Sequence, residues 1–174
     1  MYGALPLWSL MGLADWWCHR RTRIERNAGL KESAFHLLMF AQMALATLAA
    51  LLLEVNALVL AGIALLFCTH ELTTWLELRY VAPVRPITPA EQMVHSFMEI
   101  IPLAALAMLA ALHADQALAL LGLGIGTPDW QPRWKVQPLP PAYLAAALAG
   151  ATVFNVLPLL EEWQRCWRAR QSAP

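Results

Sequence analysis

Four of the five histidines stand at helical spacing from a carboxylate: Asp15 with His19, Glu32 with His36, His95 with Glu99, and His70 with Glu71 or Glu77. Three of these are i, i+4 pairs, which places both side chains on one face of one helix. Glu71 lies about 100° around a helix from His70, whereas Glu77, two turns on, returns to the same face. Imidazole and carboxylate without thiolate suit iron, manganese or zinc, and carboxylate-bridged pairs within helix bundles are the habit of iron and manganese. The chemistry to expect is that of two metal ions.

Depth supports a shared site. His19 lies eight residues before Asn27, His36 seven after Gly29, His70 ten before Tyr80 and His95 seven after Thr88. At 1.5 Å per residue all four imidazoles fall roughly 10 to 15 Å from the helix ends on one side. Two layers result, the deeper with Asp15, His36, His70 and Glu99, the shallower with His19, Glu32, His95 and Glu77, where Glu71 competes with Glu77. They are about 6 Å apart along the axis. Long carboxylates can close that to a bridged separation of about 3.5 to 4 Å. The pattern departs from the Glu-x-x-His of ferritin-like bundles and has no dense His-x-x-His-His box. One haem would leave the carboxylates unexplained, and the single stratum does not suit two stacked haems.

The elements that must position these groups are apolar helices. Runs over about 2–20, 32–53, 57–78, 89–113 and 141–162 each approach the ~20 residues needed to cross a bilayer. The reading is an all-α integral membrane protein of about five spans in a single domain, four spans forming an antiparallel bundle around the metals. Asn27-Ala28-Gly29 breaks the first from the second, and Glu54-Val55-Asn56 the second from the third. Pro83 and Pro86 end the third. Thr88-Pro89-Ala90-Glu91 opens the fourth as a capping box with proline in the first turn. Residues 114–140 form an outer loop with a short interfacial piece, and the fifth span has a kink at Pro158.

Composition agrees. The 174 residues are 59% hydrophobic and only 14% charged, with formal net charge +0, against roughly a quarter charged in soluble domains. Twelve basic residues against twelve acidic ones give nucleic acid no electrostatic footing. Placement of the charges sets orientation: Arg20, Arg21, Arg23, Arg26, Lys31, Arg79, Arg85, Arg165, Arg168 and Arg170 flank one side, Arg133 and Lys135 the other. Basic residues stay cytoplasmic, so the N-terminus lies outside and the C-terminus in the cytoplasm, as in a bacterial inner membrane. Cys18, Cys68 and Cys166 fall near the reducing face and form no closed disulfide framework.

Intramembrane ionisable groups need partners or a metal. The expected ligands are Asp15, His19, Glu32, His36, His70, Glu71, Glu77, His95 and Glu99. The expected activity is oxidation of a hydrophobic, lipid-like substrate by a non-haem dinuclear centre, iron before manganese or zinc, with dioxygen and a cytoplasmic electron donor. Alternatives are a zinc-dependent lipid hydrolase and a non-catalytic metal-binding or transport protein, the last opposed by the apolar outer halves of the spans. Glu91 reads as structural through its cap, Glu25 as a solvated helix partner, and Glu54 and His113 as interfacial. Glu161 and Glu162 read as a solvated face.

Overall fold

The computed structural model describes residues 3–172, and among them there is no strand. Seven α-helices follow in order: α1 Ala4–Thr22, α2 Gly29–Leu52, α3 Ala57–Val81, α4 Pro89–Leu112, α5 Ala114–Leu120, α6 Pro141–Ala151 and α7 Leu157–Gln171. A π-helical stretch, Thr152–Val156, joins α6 to α7 without a break. Helices α2, α3, α4 and the joined α6–α7 are long and apolar enough to cross a membrane. Helix α1 is not among these four: its 19 residues include Asp15, Arg20 and Arg21.

The boundaries follow local chemistry. The side chain of Thr88 accepts from the Glu91 amide at 3.2 Å and Glu91 returns the bond to the Thr88 amide at 3.4 Å, the reciprocal cap its sequence implies. Asn56 caps α3 by accepting from the Val59 amide at 3.1 Å. Between α1 and α2 the chain turns through Arg23 and Gly29, both at positive φ, with a single 3-10 turn at Ile24–Arg26. In the last helix the irregularity lies at Thr152–Val156, ahead of the kink expected at Pro158. Pro158 falls in the first turn of α7, where its missing N–H costs little.

Neighbour relations differ from a ring of the first four spans. Helix α4 packs on α1 and α3, α3 on α2, and α7 packs on both α2 and α1. The last helix therefore completes the ring between α1 and α2. A side chain at Gly12 would run into Asn155, while His19, seven residues on, meets Glu162, also seven residues on. Both contacts advance together, so α1 and the last helix run parallel.

One end of the bundle carries the arginine-rich turns. At the other, residues 129–136 fold back over the α2–α3 junction: the Glu54 amide donates to the Arg133 carbonyl at 2.9 Å and the Lys135 amide to the Leu52 carbonyl at 3.0 Å. Beneath this cover Met43, Ala46, Ala50, Val59, Leu60, Ile63 and Leu109 form the apolar core. Large apolar side chains such as Leu45, Leu65, Met93 and Met108 face outward, while Asp15, His19, Glu32 and Glu77 are buried. That inverts the order of a soluble protein and is consistent with a hydrocarbon surround.

Candidate metal centre

Near the arginine-rich end, five helices and one loop send ionisable groups to a common interior. Helix α1 contributes Asp15 and His19, α2 Glu32 and His36, α3 Glu77, α4 Glu91 and His95, α7 Glu162, and the loop after α3 Arg85. All but His95 are buried, and Glu32, Glu91 and Glu162 have no exposed surface at all. Such burial demands compensation for each charge.

The centre of the cluster is a stacked pair of imidazoles. The rings of His19 and His36 lie 4.4 Å apart, inclined by 3°, so corresponding edges face the same way. On one edge Glu162 spans both: its Oε2 lies 3.1 Å from His19 Nδ1 and its Oε1 2.8 Å from His36 Nδ1. A carboxylate can only accept, so both Nδ1 atoms donate, and each Nε2 of a neutral ring is left as a lone pair.

On the opposite edge the two Nε2 atoms face carboxylates. His19 Nε2 lies 3.5 Å from Asp15 Oδ1 and 3.4 Å from Glu91 Oε1; His36 Nε2 lies 3.7 Å from Glu77 Oε1. Neither Nε2 has a hydrogen-bond partner, although both are buried. Metal–ligand bonds of about 2.0–2.2 Å at a tetrahedral centre separate two ligand atoms by roughly 3.3–3.6 Å. The two separations at His19 fall in that range, and the one between His36 and Glu77 lies just beyond it. His95 Nε2 lies beside this first group and donates to Asp15 Oδ1 at 2.9 Å, a hydrogen bond shorter than the separation of two ligands on one metal. Ligand atoms of Asp15, His19 and His95, and separately those of His19, Glu32 and His36, lie within 4.8 Å of one another.

Arg85 closes the side toward the loop. Its Nε donates to Glu32 at 3.1 Å and its Nη1 to Glu91 at 3.1 Å, and its Nη2 pairs with both carboxylates. Burial works against the cation, but the hydrogen bonds to Glu91 and Glu32 outweigh it and hold the guanidinium above its ordinary range. Further out, Glu161 accepts from the Trp16 indole at 2.8 Å and pairs with Arg20, and Arg165 pairs with Glu25. These contacts pin α7 against α1 and the turn that follows it.

Of the nine residues expected as ligands, six come together: Asp15, His19, Glu32, His36, Glu77 and His95. The other three do not. His70 is buried against α2, where it meets the Met39 backbone. Glu71 and Glu99 line a separate groove between α3 and α4 with Gln92 and Ser96. Between the two candidates on the third span, Glu77 is the one beside a histidine of the cluster.

Three participants were not among the expected ligands. Glu91 keeps its capping role and also faces His19. Glu162 corrects the reading of a solvated face, and its neighbour Glu161, part-exposed, is bonded to Trp16 and Arg20; Glu162 belongs to an i, i+4 stripe with Pro158 and Cys166, all buried. Glu25 likewise is paired across the bundle and only slightly exposed. Arg85, in a short proline-flanked turn, carried no signal beyond its charge. Comparison with protein-family models, curated proteins and solved structures finds no match to this chain.

Proposed function

We propose that the cluster holds two divalent metal ions and that the protein is a membrane-embedded non-haem dinuclear oxidoreductase, with iron as the metal. The observation that carries this reading is the stacked His19–His36 pair. Glu162 holds both rings by their Nδ1–H groups, the carboxylate–histidine arrangement that orients metal-ligating imidazoles, and turns both Nε2 atoms toward carboxylates, where neutral rings would share a cation with them. Charge agrees with it: with His19, His36 and His95 neutral, the five carboxylates Asp15, Glu32, Glu77, Glu91 and Glu162 against the single guanidinium of Arg85 leave a formal deficit that two divalent cations would cancel.

One ion would sit among Asp15, His19, Glu91 and His95, the other beside His36 and Glu77 with Glu32 near. With α1 as a fifth span, the site lies toward the cytoplasmic face of an inner membrane, N-terminus outside. The proposed reaction is oxidation of a C–H bond in a hydrophobic substrate that enters from the bilayer. Dioxygen takes four electrons, two from the substrate and two from a cytoplasmic reductase. Iron-loaded protein, chemically reduced in detergent, is expected to take up dioxygen, and zinc-loaded protein is not. Iron bound without dioxygen uptake would overturn the oxidase reading, and a firm preference for zinc would favour a hydrolase.

A further inference from the structure

About two turns beyond the cluster the same helices line an apolar cleft, partly open to the surround. Trp8 of α1 lies seven residues from Asp15, Met43 of α2 seven from His36, and Ile101 of α4 six from His95, roughly 10 Å along each axis. Together with Ala46, Phe67 and Ala105 they line a space of about 90 Å³ between α1, α2, α3 and α4. Apart from the Thr47 hydroxyl and the Trp8 indole N–H, the lining offers no polar side-chain group.

Size and lining together name an occupant. A single water needs only ~10–15 Å³ on the same measure. The cleft is several times larger, yet cannot give waters the polar partners that hold them. Hydrocarbon can fill it. The small side chains of Ala46, Ala50 and Ala105 keep the space open on two helices, and its volume suits a segment of a linear chain better than a fused ring system.

We infer that this cleft seats the methyl end of a linear acyl chain. The chain would then run toward the arginine-rich end, where the exposed Arg23 can meet an anionic headgroup, and its methylenes roughly 10 Å from the seat pass the His19–His36 cluster. Filling the seat sets which carbon, counted from the methyl end, lies at the metals. The assignment of that carbon rests on the dinuclear reading above; the seat itself does not.

Saturated fatty acids of graded length, each with a photoactivatable diazirine at its methyl end, test this on the full-length protein in lipid nanodiscs, with crosslinks mapped by mass spectrometry and metal content measured on the same sample. Crosslinks are expected to concentrate on Trp8, Met43 and Phe67. The variants Ala46→Phe and Ala105→Phe are expected to lose them for the longest acid and retain them for shorter ones. Labelling spread evenly over outward residues such as Leu45 and Leu65, or indifferent to both variants, would overturn the seat. Metal bound with diffuse labelling defeats the seat alone, while focused labelling without stoichiometric metal defeats the dinuclear reading and leaves the seat standing.

Discussion

In α2, the first two turns bury Glu32, Ser33 and His36, whereas Met43 to Leu51 bury only apolar side chains; α3 divides the same way in reverse, with Val59 to Ile63 at one end and His70 to Glu77 at the other. The two halves of the bundle are held by different means. In the apolar half, close approach at Ala46 and Ala50 and the backbone hydrogen bonds of residues 129–136 suffice, and lipid competes with protein on nearly equal terms. In the ionisable half each group depends on a specific opposite number, because no water stands ready to replace a lost partner. The apolar half should tolerate change that the other cannot.

The largest effect is expected at Arg85. Arg85→Ala leaves Glu32 and Glu91 buried without their cation and should lower stability by about 3–5 kcal/mol, read by denaturant unfolding in detergent; Leu60→Ala in the apolar half should cost about 2 kcal/mol, the low end for a buried leucine. An equal or reversed order would dissolve the contrast between the halves.

Metal affinity discriminates next. Glu162→Gln removes the carboxylate that fixes both imidazoles and should weaken binding roughly 10–100-fold, the range for loss of an outer-shell partner, in a competition titration against a chelator. Glu71→Ala and Glu99→Ala, at similar depth but in the groove between α3 and α4, should leave affinity unchanged. If all three behaved alike, depth alone and not the stacked pair would define the site.

The smallest expected effect lies at the opposite end. Asp129 is held below the usual carboxylate range, first by the Gln131 amide that donates to it and further by Arg133. A lowered folded value means that its support is intact above the ordinary aspartate range and is lost as pH falls through the lowered value. Amide exchange over residues 129–136, corrected for intrinsic rates, should rise only in acid, with the α3 core protected; protection that fell as pH rose would refute this link.

Much of this architecture can be read along the chain. Thr88 to Glu91 announces its helix start, Glu54-Val55-Asn56 marks the break before α3, and the runs beginning near 32, 57 and 89 become helices near the expected limits, while the last continues past 162 to Gln171. The partners of the cluster were legible only in part, because spacing gives depth and not direction. Arithmetic assigns His70 and Glu99 to the deeper layer, yet one turns toward Met39 and the other toward the α3–α4 groove. Glu162 was hidden for a related reason: nothing in the sequence says that the last helix completes the ring between α1 and α2, and only that neighbour order turns an apparently solvated glutamate into the brace of two histidines. Arg85 depends on the path of a turn, which apolar periodicity does not describe.

The central claim is that the ionisable half is built around two cations. Metal content per chain, measured by elemental analysis on protein purified in detergent without added chelator, tests it most directly. The account predicts about two divalent ions per chain, iron foremost, with the His36→Ala protein depleted and the His113→Ala protein unchanged. Folded protein with no stoichiometric metal, before or after incubation with ferrous, manganous and zinc ions, would contradict it.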